Sequence, residues 1–308
     1  MGSGTQAPNA APATQRRTAI LAALALLAMT ACWGSTFFLI KDLIDRVPTL
    51  DFLAIRFAVA AAAMLLVAPR AIARLRPAVR KHAVVLGALY GVAQILQTSG
   101  LAHTAASVSG FITGMYVVFT PVFAAAILRT RIGPLTWVAV ALATVGLGVL
   151  TLGGFSIGYG AAITLVAAVL YALHIVGLGA WSTPADAVGM SILQIIVIAA
   201  ICFVATVPDG IVMPTTGRDW LSVLYMALFA GALAMLGQTW AQAHLAPTRT
   251  AIIMSMEPVF AAGFAVALGG EDVTSRLLVG GTMVLTAMVA AELVPRRHVE
   301  AEVTHIAV

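Results

Sequence analysis

The sequence predicts an all-α polytopic membrane protein, with ten transmembrane helices arranged as two inverted five-helix repeats around a central cavity. Three observations point there. Hydrophobic residues make up 61% of the 308 positions and charged residues only 9%, against about 25% charged in an average soluble domain. Apolar runs long enough to cross a bilayer follow one another with short connections, which leaves no room for a separate soluble domain. Finally, the chain repeats itself. Gln97-Thr98 with Ala102-His103 returns as Gln238-Thr239 with Ala243-His244, 141 positions on. Pro121-Val122-Phe123-Ala124-Ala125 returns as Pro258-Val259-Phe260-Ala261-Ala262, 137 positions on. Nearly equal offsets in two separate apolar stretches indicate an internal duplication. If each copy crosses the bilayer an odd number of times, the second is inverted relative to the first, the arrangement of alternating-access carriers.

Residues 1–15 are small and polar without periodicity and read as a disordered arm outside the fold. Apolar runs then give spans near 18–40, 51–68, 84–103, 105–128, 134–152, 157–178, 187–206, 219–243, 248–269 and 274–294. The first repeat is 18–152, the second 157–294, and 295–308 forms a tail. Arg16-Arg17 before an apolar run ending near Met29-Thr30-Ala31-Cys32 loosely resembles a cleaved signal. The run continues through Trp33 to Ile40, however, longer than the roughly 7–15 residues of a signal core, so it is read as a membrane helix.

Charge in the alternate loops orients the chain. Arg16, Arg17, Arg70, Arg74, Arg76, Arg80, Lys81, Arg129, Arg131, Arg249, Arg296 and Arg297 fall on the side of the termini. Lys41, Arg46, Arg218 and Arg276 fall on the other, and Arg56 is left inside a span. The excess predicts that both termini are cytoplasmic. The net charge of +5 is thus a topology signal, with no aromatic-interleaved basic face for nucleic acid. Cys32 and Cys202 lie in apolar runs and support neither a disulfide nor a metal site.

Extending the repeat pairs Trp33 with Tyr171, Arg56 with Gln194, Gln97 with Gln238, Thr120 with Glu257 and Pro121 with Pro258. Polar side chains at mid-span are the pointers to a site, because hydrocarbon tolerates them only where they face the bundle interior or water. Tyr90, Gln94 and Gln97 share one face of the third span, and Gln238 and Gln242 one face of the eighth. Amides facing each other across the repeat can take an amino group and a carboxylate, or simply bind helices together. Trp33 and Ser35 on the first span, Tyr116 on the fourth, and Tyr171 and His174 on the sixth complete the expected cavity. Its aromatic wall would suit a large or aromatic solute. Glu257 is the acidic residue nearest the middle of a span, a candidate for proton coupling or for a structural charge. Arg56 pairs with it if the helices adjoin and otherwise snorkels outward. Pro121 and Pro258 each remove a backbone donor inside a span and are candidate helix gates. Gly110 and Gly114, and the Gly146/Gly148 region, have spacings that permit close helix approach.

Trp33-Gly34 in helix one, Arg56-Phe57 in helix two and Glu257-Pro258 in helix nine, on a ten-span inverted plan, resemble the drug/metabolite transporter superfamily and, within it, the EamA type. The resemblance covers about residues 18–294. It implies a basket of helices one, three, four, six, eight and nine, a multi-pass protein of a bacterial inner membrane, and export of amino acids or related metabolites, as in the YddG-type aromatic amino-acid exporters. Multidrug or cation carriers and nucleotide-sugar carriers belong to the same superfamily and stand as alternatives.

No G-x-x-x-x-G-K-[ST] element occurs, since Lys41 and Lys81 are the only lysines and neither follows glycine. Transport energy is therefore expected from gradients, with protons a candidate coupling ion and no ATPase subunit implied. No cofactor or metal is expected. An intramembrane enzyme is the remote alternative. Asp42, Asp45, Asp51, Asp186, Asp209, Asp219 and Asp272 all sit at span ends or in loops, H-E-x-x-H is absent, and Ser35 and Ser109 lack a nucleophile turn.

Overall fold

A computed structural model describes residues 13–127, 134–151, 158–206, 210–245, 250 and 253–293. Most of the 1–15 arm, Arg129, Arg131, Asp209, Arg249, part of the 248–269 span and the 295–308 tail lie outside the described residues. Among the described residues the secondary structure is entirely helical. The chain runs through α1 (Ala13–Leu43), α2 (Thr49–Val67), a 3-10 turn (Ile72–Arg74), α3 (Pro77–Ala102), α4 (Ala106–Gly114), α5 (Tyr116–Ile127), α6 (Pro134–Thr151), α7 (Tyr159–Trp181) and α8 (Ala187–Thr206). It continues through α9 (Gly217–Ala227), a π-helical segment (Leu228–Leu233), α10 (Ala234–Gln242), α11 (Glu257–Ala267) and α12 (Ser275–Leu293). Among the described residues, seven helical stretches are long and apolar enough to cross a membrane, α4 with α5 forming one and α9 through α10 another. Three shorter apolar helices accompany them, Trp137–Leu150, Glu257–Ala267 and Ser275–Ala290.

Local chemistry sets the ends. Pro48 precedes α2, and Pro77 opens α3 where its missing N–H is not needed. The Thr216 hydroxyl accepts from Asp219 N (3.1 Å) and donates to the Asp219 carboxylate (2.8 Å), a reciprocal cap on α9. Lys41 Nζ donates to Leu101 O (2.9 Å) and Ala102 O (3.0 Å), placing a cation on the negative end of α3. Past α11, Gly270 adopts φ 71°, a conformation that costs glycine little. That turn lets Glu271 N donate to Ala265 O (3.1 Å) and carries the Glu271 carboxylate to the first amides of α4, Ala106 N (2.6 Å) and Ser107 N (3.2 Å). A negative charge thus meets the positive end of α4. Asp51, at the start of α2, accepts from the Thr206 hydroxyl and from Val212 N (2.9 Å), tying the end of α8 and the residues around Val212 to α2. In the link between α1 and α2, Arg46 bonds Asp42 (2.8 Å) and Asp219 (2.7 Å). Those carboxylates, Asp42 first, hold its guanidinium above its ordinary range.

Helix packing is close because glycines sit at the crossings. α3 packs on α7 and α8, α6 on α12, α2 on α8, and α11 between α1 and α4. A Cβ on Gly34 would lie 2.5 Å from Phe260 Cβ, and one on Gly110 2.5 Å from Ala261 Cβ. At Gly114 it would meet Met288 Cε at 2.7 Å and Pro258 Cγ at 3.1 Å, and at Gly146 Met283 Cβ at 2.8 Å. Such small-residue seams hold helices together where lipid removes most of the hydrophobic drive. Two large buried clusters result. One is built around Trp33, Tyr116, Tyr171 and Met288, the other around Phe52, Phe57, Ile195 and Met226.

The prolines act differently from the mid-span bends expected of them. The fourth span is interrupted at Met115, before Pro121, which stays inside α5. Pro258 occupies the first turn of α11, directly after the turn at Ser255–Met256, where a proline needs no hydrogen-bond partner. The break therefore precedes each proline and does not fall on it.

Gly100 provides a test of the seams, because an added Cβ would lie 2.7 Å from Gly160 O, a backbone atom that cannot swing aside. Gly100→Ala is expected to lower stability by about 1–3 kcal/mol. Gly158→Ala, with nothing within 4 Å of the added Cβ, is expected to be neutral in the same thermal melt in detergent.

Candidate functional site

A cavity opens inside the bundle where α1, α2, α3, α4, α5, α7, α10 and α11 converge. Of the side chains singled out from the sequence, Trp33, Arg56, Tyr90, Gln94, Gln97, Tyr116, Tyr171, His174, Gln238 and Glu257 line it. Thr36, Phe37, Ile40, Thr113, Ile175 and Met254 also line it and were not anticipated. Thr36, Phe37 and Ile40 follow Trp33 at the helical spacings of three, four and seven, and Thr113 stands one turn before Tyr116. For the α1 residues the signal was therefore the same face of the same helix. Ser35 and Gln242 lie outside the lining.

One polar chain crosses the cavity through Tyr171. Its hydroxyl lies 2.6 Å from Gln94 Oε1 and 2.8 Å from Gln97 Oε1, and Gln97 Nε2 donates to the Thr113 hydroxyl at 3.2 Å. A phenol has one proton to give, so it satisfies one amide fully and the other amide can turn to donate back. This joins α3, α4 and α7 by side chains alone. Tyr90 stacks edgewise on Tyr171 (centroids 5.2 Å) and on His174 (5.1 Å). His174 is buried, and its Nε2 donates to Gln194 Oε1 at 2.8 Å on α8, which fastens α7 to α8.

Glu257 finds its partner in Tyr116, whose hydroxyl donates to Oε2 at 2.6 Å and also lies 3.1 Å from Met254 O. The carboxylate thus has a neutral phenol for its partner, where the sequence offered Arg56. Arg56 neither pairs with Glu257 nor reaches outward. It is 2% exposed, and no carboxylate among the described residues comes within ion-pair distance of it. Its Nε donates to Met226 O (3.2 Å) and its Nη2 to Ala230 O (3.4 Å), with the guanidinium carbon 5.1 Å from the Phe57 ring centroid and 5.9 Å from that of Phe52. Ala230 O accepts from Trp33 Nε1 as well, at 2.9 Å. Ala230 belongs to the π-helical segment, whose wider turn shifts carbonyls out of the i→i+4 ladder. Side chains that line the cavity take up the exposed backbone.

The remaining polar residues knit helices. The Ser35 hydroxyl donates to Cys32 O (2.7 Å) and lies 2.8 Å from the Tyr225 hydroxyl, away from the cavity. Gln242 Nε2 donates to Ile175 O (3.2 Å) while its Oε1 accepts from Gln238 Nε2 (3.0 Å). Gln238 Oε1, 2% exposed as a residue, is left without a hydrogen-bond partner. The cavity's free volume is about 40 Å³, space for a few water molecules. Any larger solute requires the surrounding helices to part.

Comparison with known proteins agrees with this architecture. A solved crystal structure superposes with a TM-score of 0.66 over 88% of this chain and 96% of its own, at 17% identity, a likeness of fold. An uncharacterized transporter of Archaeoglobus fulgidus is 28% identical over 283 residues, 89% of this chain and 86% of that protein. The uncharacterized inner membrane transporter YedA of Escherichia coli K12 is 26% identical over 265 residues, 81% and 83% of the two chains. The EamA-like transporter family matches twice, at residues 20–152 and 158–291. With both halves of the sequence accounted for in this way, the chain belongs to the EamA-like transporter family and is a multi-pass membrane transporter.

Proposed function

We propose that the protein is a secondary-active or facilitative exporter of amino acids, neutral and aromatic ones preferred, or of related small metabolites. Transport proceeds by alternating access between two inverted five-helix repeats, residues 18–152 and 157–294. The observation that carries the reading is the cavity itself, lined by aromatic rings, amides and phenols, with Arg56 and Glu257 among them, contributed by both halves. A compact wall of this kind suits a solute with an apolar body and a polar end.

The helix contacts support the inverted plan. α1 packs against α10 and α11, while α7 packs against α3 and against α4 and α5. α2 meets α8 and α6 meets α12. Exchanging the first five spans for the last five leaves this set of contacts unchanged, as a two-fold related pair of repeats requires. On the charge asymmetry, both termini face the cytoplasm. The relation to YedA, named an inner membrane transporter, favours a bacterial inner membrane.

Opening on either side requires helix breaks that can absorb the motion. The interruptions at Met115 and at Ser255–Met256, which precede Pro121 and Pro258, are the hinges this reading assigns. Protons are the candidate coupling ion, with Glu257 as carrier.

Purified protein in liposomes loaded with L-phenylalanine is expected to drive counterflow of radiolabelled aromatic and neutral amino acids. Movement of quaternary cations or nucleotide sugars, with every amino acid inert, would overturn the preferred substrate class. Glu257→Gln keeps an acceptor for Tyr116 and removes the titratable group. Its transport is expected to be slower and to lose its pH dependence, and a pH profile identical to that of the native protein removes Glu257 as a proton carrier.

A further inference from the structure

Two residues that line the cavity, Arg56 and Gln238, have hydrogen-bonding capacity that the protein does not use. Arg56 carries five N–H donors. Two of them go to Met226 O and Ala230 O, both longer than 3.1 Å, and no other acceptor among the described residues takes the rest. Gln238 Oε1 accepts nothing. Buried polar groups in folded proteins are nearly always paired, so each unpaired group calls for an explanation. For a guanidinium enclosed by Phe52, Phe57 and backbone carbonyls the need is sharper, since its full charge has no counter-ion.

We propose that Arg56 is the receptor for a carboxylate on the transported solute, and that Gln238 Oε1 accepts an N–H from the same molecule. The assignment rests on the carrier reading and narrows it, because the two groups together select small carboxylic acids that also bear an amino or amide N–H. Both residues line one cavity, Arg56 on α2 and Gln238 on α10. A guanidinium receives a carboxylate through parallel N–H donors, an arrangement a neutral amide cannot copy. The carbonyls of Met226 and Ala230 hold the head group by Nε and Nη2, which leaves the Nη1 side free to do this. Trp33 Nε1 shares Ala230 O, so an anion that draws Arg56 off this carbonyl also leaves Trp33 as its remaining side-chain donor. Glu257 is occupied by Tyr116 and does not neutralise Arg56.

The test compares L-phenylalanine, L-leucine and L-threonine with their primary carboxamides. Two readouts are used: thermal stabilisation of the purified protein in detergent, and competition in liposome counterflow. The acids are expected to stabilise and compete at concentrations at least about tenfold lower than the amides. Arg56→Gln should erase that preference and Arg56→Lys should keep part of it. Gln238→Leu should weaken L-phenylalanine toward the level of 3-phenylpropionate, which has no amino group. The acid-to-amide comparison on the native protein stands even if Arg56→Gln does not fold. Equal action of acids and amides, survival of the preference in Arg56→Gln, or no stabilisation by any acid would each overturn the assignment. The carrier reading fails separately, if no solute of any class moves in the liposomes while the acids still stabilise the native protein.

Discussion

A polar group inside a bilayer has no water to fall back on, so each amide, hydroxyl and charge must find its partner within the protein or face a water-filled space. This constraint organises the molecule. Backbone groups are satisfied largely within helices, and most of the polar side chains that the helices bring to their common centre satisfy one another, Arg56 and Gln238 being the exceptions. Tyr171 reaches Gln94 and Gln97, His174 reaches Gln194, and Tyr116 reaches Glu257. Each bond joins different helices, so the same interactions that pay for polarity also set how the bundle closes. Interhelical hydrogen bonds in membranes contribute only about 0.6–2 kcal/mol each, and it is their convergence on one cavity that makes them decisive.

The constraint is met less completely at the backbone. Where α9 passes into α10 the helix widens into a π turn, and Arg56 and Trp33 donate to the carbonyls it exposes. At Met115 the fourth span tightens, with Met115 N bonding Ile112 O (3.1 Å) and Val118 N bonding Met115 O (2.9 Å). Both irregular stretches adjoin the cavity, where irregular membrane backbone is tolerated because protein groups can satisfy it. Away from the cavity, close-packed glycine seams such as Gly100 against Gly160 keep neighbouring helices in register. The result is a rigid frame around a centre with several local departures from regular helix.

The small size of the cavity bears on mechanism. With about 40 Å³ free, the cavity is too small for a metabolite, and uptake of a solute requires the surrounding helices to part. The aromatic contacts of Tyr90 with Tyr171 and His174 lie across that centre. They belong to α3 and α7, whose seam is tightly packed, whereas α1 and α10 face it from the other side.

The helical class, the positions of most spans, the doubled sequence and the polar residues that come to face one another were legible in the sequence. The spans and shared faces rest on short-range patterns, apolar length and helical spacing, and the duplication on matches 137 and 141 positions apart. Partner choice was not legible. Whether Arg56 would meet Glu257, reach outward or lie among phenylalanines depends on how α2 sits against α9, and whether Ser35 would face the cavity depends on a rotation of α1 that brings it to Tyr225. The breaks at Met115 and at Leu228–Leu233 carry no marker in the local sequence pattern. A residue's period along a helix tells which side chains share a face, but only the packing of one helix on another decides what that face meets.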